Sequence, residues 1–595
     1  MAERAENRRP LRDYAGIGDG RTVALIASDG SVDWLPVPAL DGIPVLAGLL
    51  DPRGGRFLLR PEGEFTTERH YVPGTNVLVT RFETPSGVAE VTDALATGIA
   101  GRLPWTELAR RIAGLSGTVR FAWAVEPGDL FGRAAPDDVP TPHGRLLRSG
   151  AINLAVVGSE HGPVETDGPT YEGAFTTAPG SRHLLALVAT DGEPVHLPDP
   201  RVVDEGIDRT IANWTTWSRD VRSGGSPWDE QVRRSILALK LLVFSPSGSI
   251  AAAATTSLPE SRSGAKNWDY RYAWIRDLSY ATEALLDAGL REEPHAAVSW
   301  MLGALKRHGD EIAVFFALDG SDPPPPVEVA AEGWDGIGPV RAGNRAADQL
   351  QLGVYADVLS LLQRYTEHGN MLDRASSDLL ARLATDVCDR WRRPDSGMWE
   401  LVKQRHYVSS KMGCWHALDA ACRLADGGHI TPRPALLRRW RRNRDAIRAW
   451  IERHGWSEKR GAYVMHPRSR RLDASVLLHA RTGFDDGERM SRTIDAIRAE
   501  LGDGRLLYRY SGMGDEEGAF VACSFWVAEA LAAVGRLDEA RDLMDELVRL
   551  PNDVGLMAEM IDPADGAFLG NLPQALSHLA LIRAAHLIEE HGRSR

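Results

Sequence analysis

The stretch Asn267-Trp-Asp-Tyr-Arg-Tyr-Ala-Trp-Ile-Arg-Asp277 concentrates aromatic, arginine and acidic side chains directly before an apolar run with helical spacing. Binding residues are often carried on loops that a rigid scaffold holds in place. A pyranose ring has an apolar C–H face and a polar rim of hydroxyls, so aromatic rings beside Arg and Asp suit sugar recognition. The same composition also fits a loop that fills the end of a helical barrel and binds nothing.

Three further loops of this kind follow, Gly333–Asn344, Gly397-Met-Trp-Glu400 and Glu559-Met-Ile-Asp562. From Asp229 onward, apolar residues recur at three and four positions in about twelve segments, which predicts helices. The predicted helices begin near 229, 277, 294, 344, 371, 409, 433, 473, 487, 517, 536 and 571. Twelve helices fit a closed double ring, an (α/α)6 barrel. They fit an irregular bundle or a solenoid equally well, although the lack of a fixed-period repeat argues against the solenoid.

Residues 20 to about 200 have a different pattern, with short β-rich runs separated by Gly and Pro. Asp29-Gly30 lies between two such runs and predicts a hairpin, because both turn positions tolerate positive φ. Strands at this spacing without intervening helices predict an antiparallel β-sandwich. We therefore expect a β-sandwich domain over residues 1–200, a helical linker over 201–228 and a helical domain over 229–595.

Composition restricts the classes of partner and cofactor. The chain has 595 residues and a formal net charge of −13, which argues against binding nucleic acid or an anionic membrane surface. Its polar N-terminus and the lack of a long apolar run predict a soluble, cytoplasmic protein with a small, neutral substrate. The four scattered cysteines predict buried thiols. No metal-ligand spacing or phosphate-binding loop is present, so we expect neither a metal nor a cofactor. The oligomeric state stays open.

Five motifs in order resemble glycoside hydrolase family 15, the glucoamylase and trehalase-like family. They are Gly16–Thr22 with Ser28–Trp34, Asn267–Asp277, Pro339-Val-Arg341 with Gly343-Asn344, Gly397–Glu400, and Gly570-Asn-Leu-Pro-Gln-Ala575 with Ser577-His578. The first is similar to the β-domain that precedes the catalytic domain in prokaryotic members. The resemblance implies an (α/α)6 barrel and an inverting exo-hydrolase that releases glucose from a non-reducing end.

The resemblance also implies a role for individual residues. Glu400 matches the general acid and Glu559 the general base. The sugar-binding residues that it implies or favours are Trp274, Arg276, Asp277, Trp399, Arg341 and Arg509. Of these, Arg341 fits equally well a residue that fixes the loop of Trp334. Many relatives carry Ser-Glu followed by Glu or Gln at the base, whereas this chain has Ala558-Glu559-Met560, which removes a neighbouring polar group.

Inverting hydrolysis needs one protonated and one ionised carboxyl group about 6.5–9.5 Å apart, with room for a water molecule between them. Met398 and Trp399 predict an apolar setting that raises the pKa of Glu400. Read without the motifs, Glu400 is a solvated loop residue and Glu559 a charge at a helix end. Asp277 could likewise cap a helix over 278–290 and pair with Arg276. Two other function classes stay open, a non-catalytic sugar-binding protein and a disaccharide phosphorylase.

Overall fold

The computed structural model describes residues 9–99, 101–142, 144–162, 164–264, 266–309, 312–485 and 487–593. Its N-terminal part consists of two antiparallel sheets of eight strands each, packed face to face as a sandwich. The first sheet has the order β1-β2-β3-β5-β10-β15-β14, with β4 paired to β3, and the second has the order β11-β12-β13-β16-β9-β8-β7-β6. The strands are β1 (Ala15–Gly18), β2 (Val23–Ile26), β3 (Val32–Pro36), β4 (Pro44–Leu46), β5 (Gly55–Pro61), β6 (Thr66–Tyr71), β7 (Leu78–Thr84), β8 (Gly87–Leu95), β9 (Thr106–Gly117), β10 (Val119–Pro127), β11 (Pro136–Thr141), β12 (Gly144–Ser149), β13 (Ile152–Ser159), β14 (Glu165–Asp167), β15 (Thr170–Thr177) and β16 (Arg182–Asp191).

The predicted hairpin at Asp29-Gly30 joins β2 to β3, with Leu25 opposite Trp34. Gly30 has a φ of +88°, and a Cβ there would lie 2.3 Å from the carbonyl oxygen of Leu59, so only glycine fits. Strand β16 reads as a continuous apolar run because both of its faces are covered. One face packs in the sandwich core, and the other packs against a helix on the outside of the second sheet.

The C-terminal part is an (α/α)6 barrel, as expected. The helices of the chain are α1 (Pro200–Ser218), α2 (Asp229–Leu242), α3 (Ile275–Asp287), α4 (Glu292–His308), α5 (Val354–Glu367), α6 (Arg374–Arg390), α7 (Val408–Asp426), α8 (Pro434–His454), α9 (Glu488–Leu501), α10 (Val521–Ala533), α11 (Leu537–Leu547) and α12 (Ala575–Arg593). Helices α3, α5 and α7, the 3-10 helix Ala474–Thr482, α10 and α12 contact one another in turn and close an inner ring. Helices α2, α4, α6, α8, α9 and α11 lie outside it. Helix α1, in the predicted linker, packs on the outer face of the second sheet.

Burial explains which helices form the inner ring. Helix α10 is apolar except for Ser524 and Glu529, and all but its last residue are buried. Helix α8 on the outside buries only Trp440, Ile447 and Ile451, a single stripe at helical spacing. Two predicted helix starts need correction. The segment near 344 forms a short 3-10 turn, and α5 begins only at Val354. The segment near 473 is a 3-10 helix rather than an α-helix.

Short strands in the barrel loops complete the fold. They are β17 (Val243–Phe244), β18 (Ser249–Ile250), β19 (Thr256–Pro259), β20 (Asn267–Asp269), β21 (Ala273–Trp274), β22 (Phe315–Phe316), β23 (Val327–Val329), β24 (Val340–Ala342), β25 (Trp456–Ser457), β26 (Ala462–Tyr463), β27 (Gly502–Asp503), β28 (Leu506–Leu507), β29 (Ala519–Phe520), β30 (Met560–Ile561) and β31 (Phe568–Leu569). The sandwich packs against the barrel. Trp34 on β3 is buried, and its Nε1 donates to the carbonyl oxygen of Ala254 at 3.0 Å.

All four cysteines are buried free thiols. Within the described ranges, no helix has the length and apolarity that a membrane crossing requires.

Candidate active site

The candidate site is a cavity of about 390 Å³ at the end of the barrel where inner helices such as α3, α7 and α10 begin. All eight residues that the sequence nominates line this one cavity, although they come from five separate loops. They are Trp274, Arg276, Asp277, Arg341, Trp399, Glu400, Arg509 and Glu559. Closure of the inner ring brings these loops together, which no local sequence pattern encodes.

Arg276 and Asp277 close one end of the cavity to a sugar, because the further cavity that Arg276 also lines has a volume of only about 50 Å³. The guanidinium Nη2 of Arg276 lies 3.0 Å from Oδ2 of Asp277, and its Nη1 donates to the carbonyl oxygen of Met398 at 3.1 Å. Asp277 is 2 % exposed, and this burial raises the pKa of its carboxyl, an effect that Arg276 partly offsets. The predicted ion pair is therefore present. The predicted helix cap is wrong, because α3 begins at Ile275 and places Asp277 inside its first turn.

Glu400 lies in the loop between α6 and α7 with a φ of +58°, a left-handed conformation that is uncommon outside glycine and often found at functional sites. Its Oε1 accepts a hydrogen bond from Nε1 of Trp274 at 2.8 Å, and its carbonyl oxygen accepts one from Gln349 at 3.0 Å. Burial raises the pKa of the Glu400 carboxyl, while Arg276 and the Trp274 indole act in the opposite direction. The reading of Glu400 as a solvated loop residue is wrong.

Glu559 directly precedes β30 in a small three-stranded sheet and is 2 % exposed, so it is not a helix-terminal charge. Its Oε2 accepts a hydrogen bond from the backbone N–H of Asn571 at 3.4 Å. Gly570, with a φ of +71°, lets the chain pass close to this carboxyl, because a Cβ there would lie 2.6 Å from Oε2. The glycine of the Gly570–Ala575 motif thus makes room for Glu559.

A buried charge network adjoins Glu559 through Arg509. The Nη2 of Arg509 lies 2.8 Å from Oε2 of Glu260, and its Nε lies 2.6 Å from Oε1 of Glu517. Lys266 contacts Glu517 at 2.6 Å. Burial raises the pKa of Glu260 to about 7. Burial also favours the neutral form of Glu517, but Arg509 and Lys266 outweigh it and lower the pKa of that carboxyl.

This network acts on Glu559. Burial raises the pKa of Glu559 well above its ordinary value, the negative charge of Glu260 raises it further, and Arg509 opposes both. The pKa values of Glu400 and Glu559 are therefore displaced in the same direction. The apolar setting predicted for Glu400 is present, but burial by itself does not distinguish an acid from a base here.

Trp399 and Arg341 both line the cavity, and each makes contacts that the sequence did not predict. The indole Nε1 of Trp399 donates to Asp473 at 2.8 Å, so Trp399 is held by a buried carboxylate, and it is Trp274 that contacts the carboxylate of Glu400. Arg341 donates to the carbonyl oxygen of Asn267 at 3.2 Å and lies 5.0 Å from the ring of Trp268. Arg341 thus stabilises the loop that begins at Asn267.

Sequence reasoning missed four polar residues of the site: Tyr270, Lys266, Glu260 and Glu517. Tyr270 lines the cavity, and burial together with Glu559, Glu260 and Glu400 raises the pKa of its phenol. Its place inside the Asn267–Asp277 motif was the only available signal. The two glutamates lie in segments without a motif, and only their contact with Arg509 identifies them. Among the described residues, no three His, Cys, Asp or Glu side chains are grouped so as to hold a metal ion.

Comparison with known proteins shows which family combines this fold and site. The model of glycosyl hydrolases family 15 matches residues 228–586, and that of the trehalase-like N-terminal domain matches residues 4–137. The chain belongs to glycosyl hydrolases family 15. As a member of this trehalase- and glucoamylase-like family, the protein is a glycoside hydrolase.

Similar proteins and structures span the whole chain. A trehalase from Mycobacterium tuberculosis is 32 % identical, with 97 % of this chain and 90 % of the relative covered. A trehalase from Thermoplasma volcanium is 30 % identical, with 98 % and 94 % covered. The crystal structure of a bacterial glucoamylase complexed with acarbose superimposes with a TM-score of 0.73 at 12 % identity, covering 98 % of this chain and 94 % of that one. At 12 % identity, this structural likeness shows a shared fold and nothing further.

Proposed function

We propose that this family 15 hydrolase cleaves α,α-trehalose by an inverting, exo-acting mechanism. The observation that carries the proposal is that Glu400 and Glu559 line one cavity whose closed end is formed by the Arg276–Asp277 pair. The relatives that match along nearly the whole chain at 30–32 % identity are trehalases, which favours this disaccharide over longer glucans.

The closed end explains exo action. Asp277 is buried, and its partner Arg276 also donates to the carbonyl oxygen of Met398. The further cavity that Arg276 and Met398 line has a volume of only about 50 Å³, which is too small for another sugar. One terminal glucose enters, its hydroxyls hydrogen-bond to Arg276 and Asp277, and its ring lies beside Trp274. A site built to bind hydroxyls discriminates strongly against a sugar that lacks them, because its buried polar groups would be left unpaired.

The two glutamates carry out the proton transfers. Glu559 takes a proton from a water molecule, and the water oxygen bonds to the anomeric carbon from the side opposite the leaving group. The glycosidic bond breaks, and the carboxyl of Glu400 gives its proton to the leaving oxygen. The attacked glucose leaves as the β-anomer. For Glu400, the raised pKa keeps the acid protonated. For Glu559, the positive charge of Arg509 and the backbone N–H of Asn571 favour the ionised form that the base requires.

A substrate panel tests the proposal. The purified enzyme is assayed in phosphate-free buffer with trehalose, maltose, isomaltose and maltotriose, and glucose release is measured. We expect kcat/KM to be highest for trehalose. Turnover of none of the four sugars, or release of glucose 1-phosphate when phosphate is added, would contradict a trehalose hydrolase. A Glu400→Gln preparation from the same purification serves as the control for contaminating glucosidases.

A further inference from the structure

A second cavity of about 510 Å³ adjoins the candidate active site. The two share Leu401, Val402 and Tyr510, the residues just beyond Glu400 and Arg509. Val402 is 79 % exposed, whereas Asp277 at the closed end of the active site is 2 % exposed. The second cavity therefore lies on the open side of Glu400, towards which the leaving sugar points under the proposed function.

The lining of this second cavity is basic, and we call it the basic cavity. Lys403, Arg405 and Arg471 line it, and no Asp or Glu does. Among the described residues, none of these three cations has a salt bridge, although the chain as a whole has a formal net charge of −13. Three unpaired like charges around one concave surface repel one another, and a bound anion relieves that repulsion.

The surroundings of His466 indicate that Lys403, Arg405 and Arg471 all lie close to its ring. Its ring lies in the lining of the basic cavity, and its pKa is lowered by burial and then by Arg405, Arg471 and Lys403. Two carboxylates close to Tyr510 in this lining are already engaged. Asp473 accepts from Trp399, and Glu516 pairs with Lys266 at 3.2 Å.

We propose that the basic cavity is a subsite for a phosphate group, carried by the leaving sugar of the substrate or present as a free phosphate ion. Arginine and lysine side chains are the groups that bind phosphate by charge-assisted hydrogen bonds. A disaccharide that places one unmodified glucose against Arg276 and Asp277 presents a phosphate on its second sugar to Lys403, Arg405 and Arg471. The inference rests on the proposed function only for the direction of the leaving sugar.

The test measures binding directly through His466. The pKa of its ring is followed by NMR in enzyme with labelled histidine, and a His466→Gln variant assigns the signal. The probes are inorganic phosphate and trehalose phosphorylated on one primary hydroxyl, with the latter measured in Glu400→Gln enzyme to prevent turnover. We expect the His466 pKa to rise with a bound phosphate, because the dianion offsets the neighbouring cations.

Two double variants form a matched pair. Lys403→Gln/Arg471→Gln removes two lining charges, whereas Arg468→Gln/Arg470→Gln removes two charges from the loop that carries Arg471 without altering the lining. We expect the first variant to weaken phosphate binding about tenfold or more and the second to leave it unchanged. With active enzyme, the first should raise KM for phosphorylated trehalose without affecting KM for trehalose.

The outcomes separate the sources of phosphate. Tighter binding of phosphorylated trehalose than of inorganic phosphate assigns the subsite to the substrate, and equal binding assigns it to the free ion. An unchanged His466 pKa with both probes, or equal weakening in the two double variants, would overturn the proposal. Because the titration needs no turnover, failure of the substrate panel would refute the proposed function without affecting this result.

Discussion

The indole Nε1 of Trp274 donates a hydrogen bond of 2.8 Å to Oε1 of Glu400. Trp274 immediately precedes α3, while Glu400 lies in the loop between α6 and α7, so the bond joins loops next to α3 and α7, between which α5 lies in the inner ring. The Trp274 ring is itself fixed, because it stacks on Phe315 with a centroid separation of 4.2 Å. The orientation of the Glu400 carboxyl is therefore built into the barrel before substrate arrives.

Removing this donor should change the pH dependence of catalysis. The indole favours the charged form of Glu400 and lowers its pKa, so Trp274→Phe raises that pKa further. A general acid works protonated, and its activity is lost as pH rises through its pKa. We expect the basic limb of the kcat profile to move to higher pH. Trp268→Phe, at the rim beside Arg341, should leave this limb in place.

The buried pair of Arg276 and Asp277 should matter for both binding and stability. Asp277→Asn leaves the Arg276 guanidinium buried without its anion, and breaking such a pair costs about 3–5 kcal/mol of the free energy of unfolding. It also removes a group proposed to accept hydroxyls of glucose. We expect a lower urea midpoint and a higher KM for trehalose.

The exposed pair of Arg120 and Glu62, 2.9 Å apart on the sandwich, provides the comparison. Glu62→Gln should change the free energy of unfolding by less than about 1 kcal/mol, because solvent screens surface pairs. Equal destabilisation by Asp277→Asn and Glu62→Gln would argue against a special role for the buried pair.

The charge of Glu260 should affect the pH below which activity is lost, the acidic limb of the pH profile. Its negative charge raises the pKa of Glu559, and a base loses activity as pH falls through its pKa. Glu260→Gln keeps a polar partner for Arg509 but removes the charge, so the pKa of Glu559 falls and the acidic limb moves to lower pH. The measurement is the pH dependence of kcat/KM for trehalose. Glu328→Gln, which alters the exposed partner of Arg341, should not move that limb.

The fold could be predicted from the sequence to a large extent because each part carries a local signal. Short β-rich runs separated by Gly and Pro identified the sandwich, and helical spacing located most helix starts. Choosing the closed ring over an irregular bundle required the family resemblance, since helical spacing does not encode which helices are neighbours. The 3-10 conformation of Ala474–Thr482 could not be predicted, because its apolar pattern resembles that of a short α-helix.

The sequence predicted those residues of the candidate site that lie in motifs. It did not predict the residues that contact them from segments of the chain without a motif. Glu400, Glu559 and the Trp274–Asp277 segment lie in motifs. Glu260 lies in a segment without one, and its link to Arg509 spans 249 positions of sequence. The pKa of Glu559 depends on that link, so the sequence could not reveal the electrostatics of the proposed base.

Substitution of either of the two carboxyls proposed as catalytic tests their assigned roles. Glu400→Gln and Glu559→Gln should each lower kcat by about 10²–10⁴-fold or more, since each removes one proton transfer. Glucose binding, measured by calorimetry, should persist because Arg276 and Asp277 are untouched. Near-normal turnover by either variant would show that the other functional groups of the cavity perform the chemistry.

The most direct test of the central claim is proton NMR of the first products from trehalose. Inversion at one glucose by water, with release of the other unchanged, predicts β-glucose and α-glucose in equal amounts before mutarotation. Early spectra that contain only α-glucose would mean retention of configuration and would contradict the account in which Glu559 activates water and Glu400 protonates the leaving oxygen.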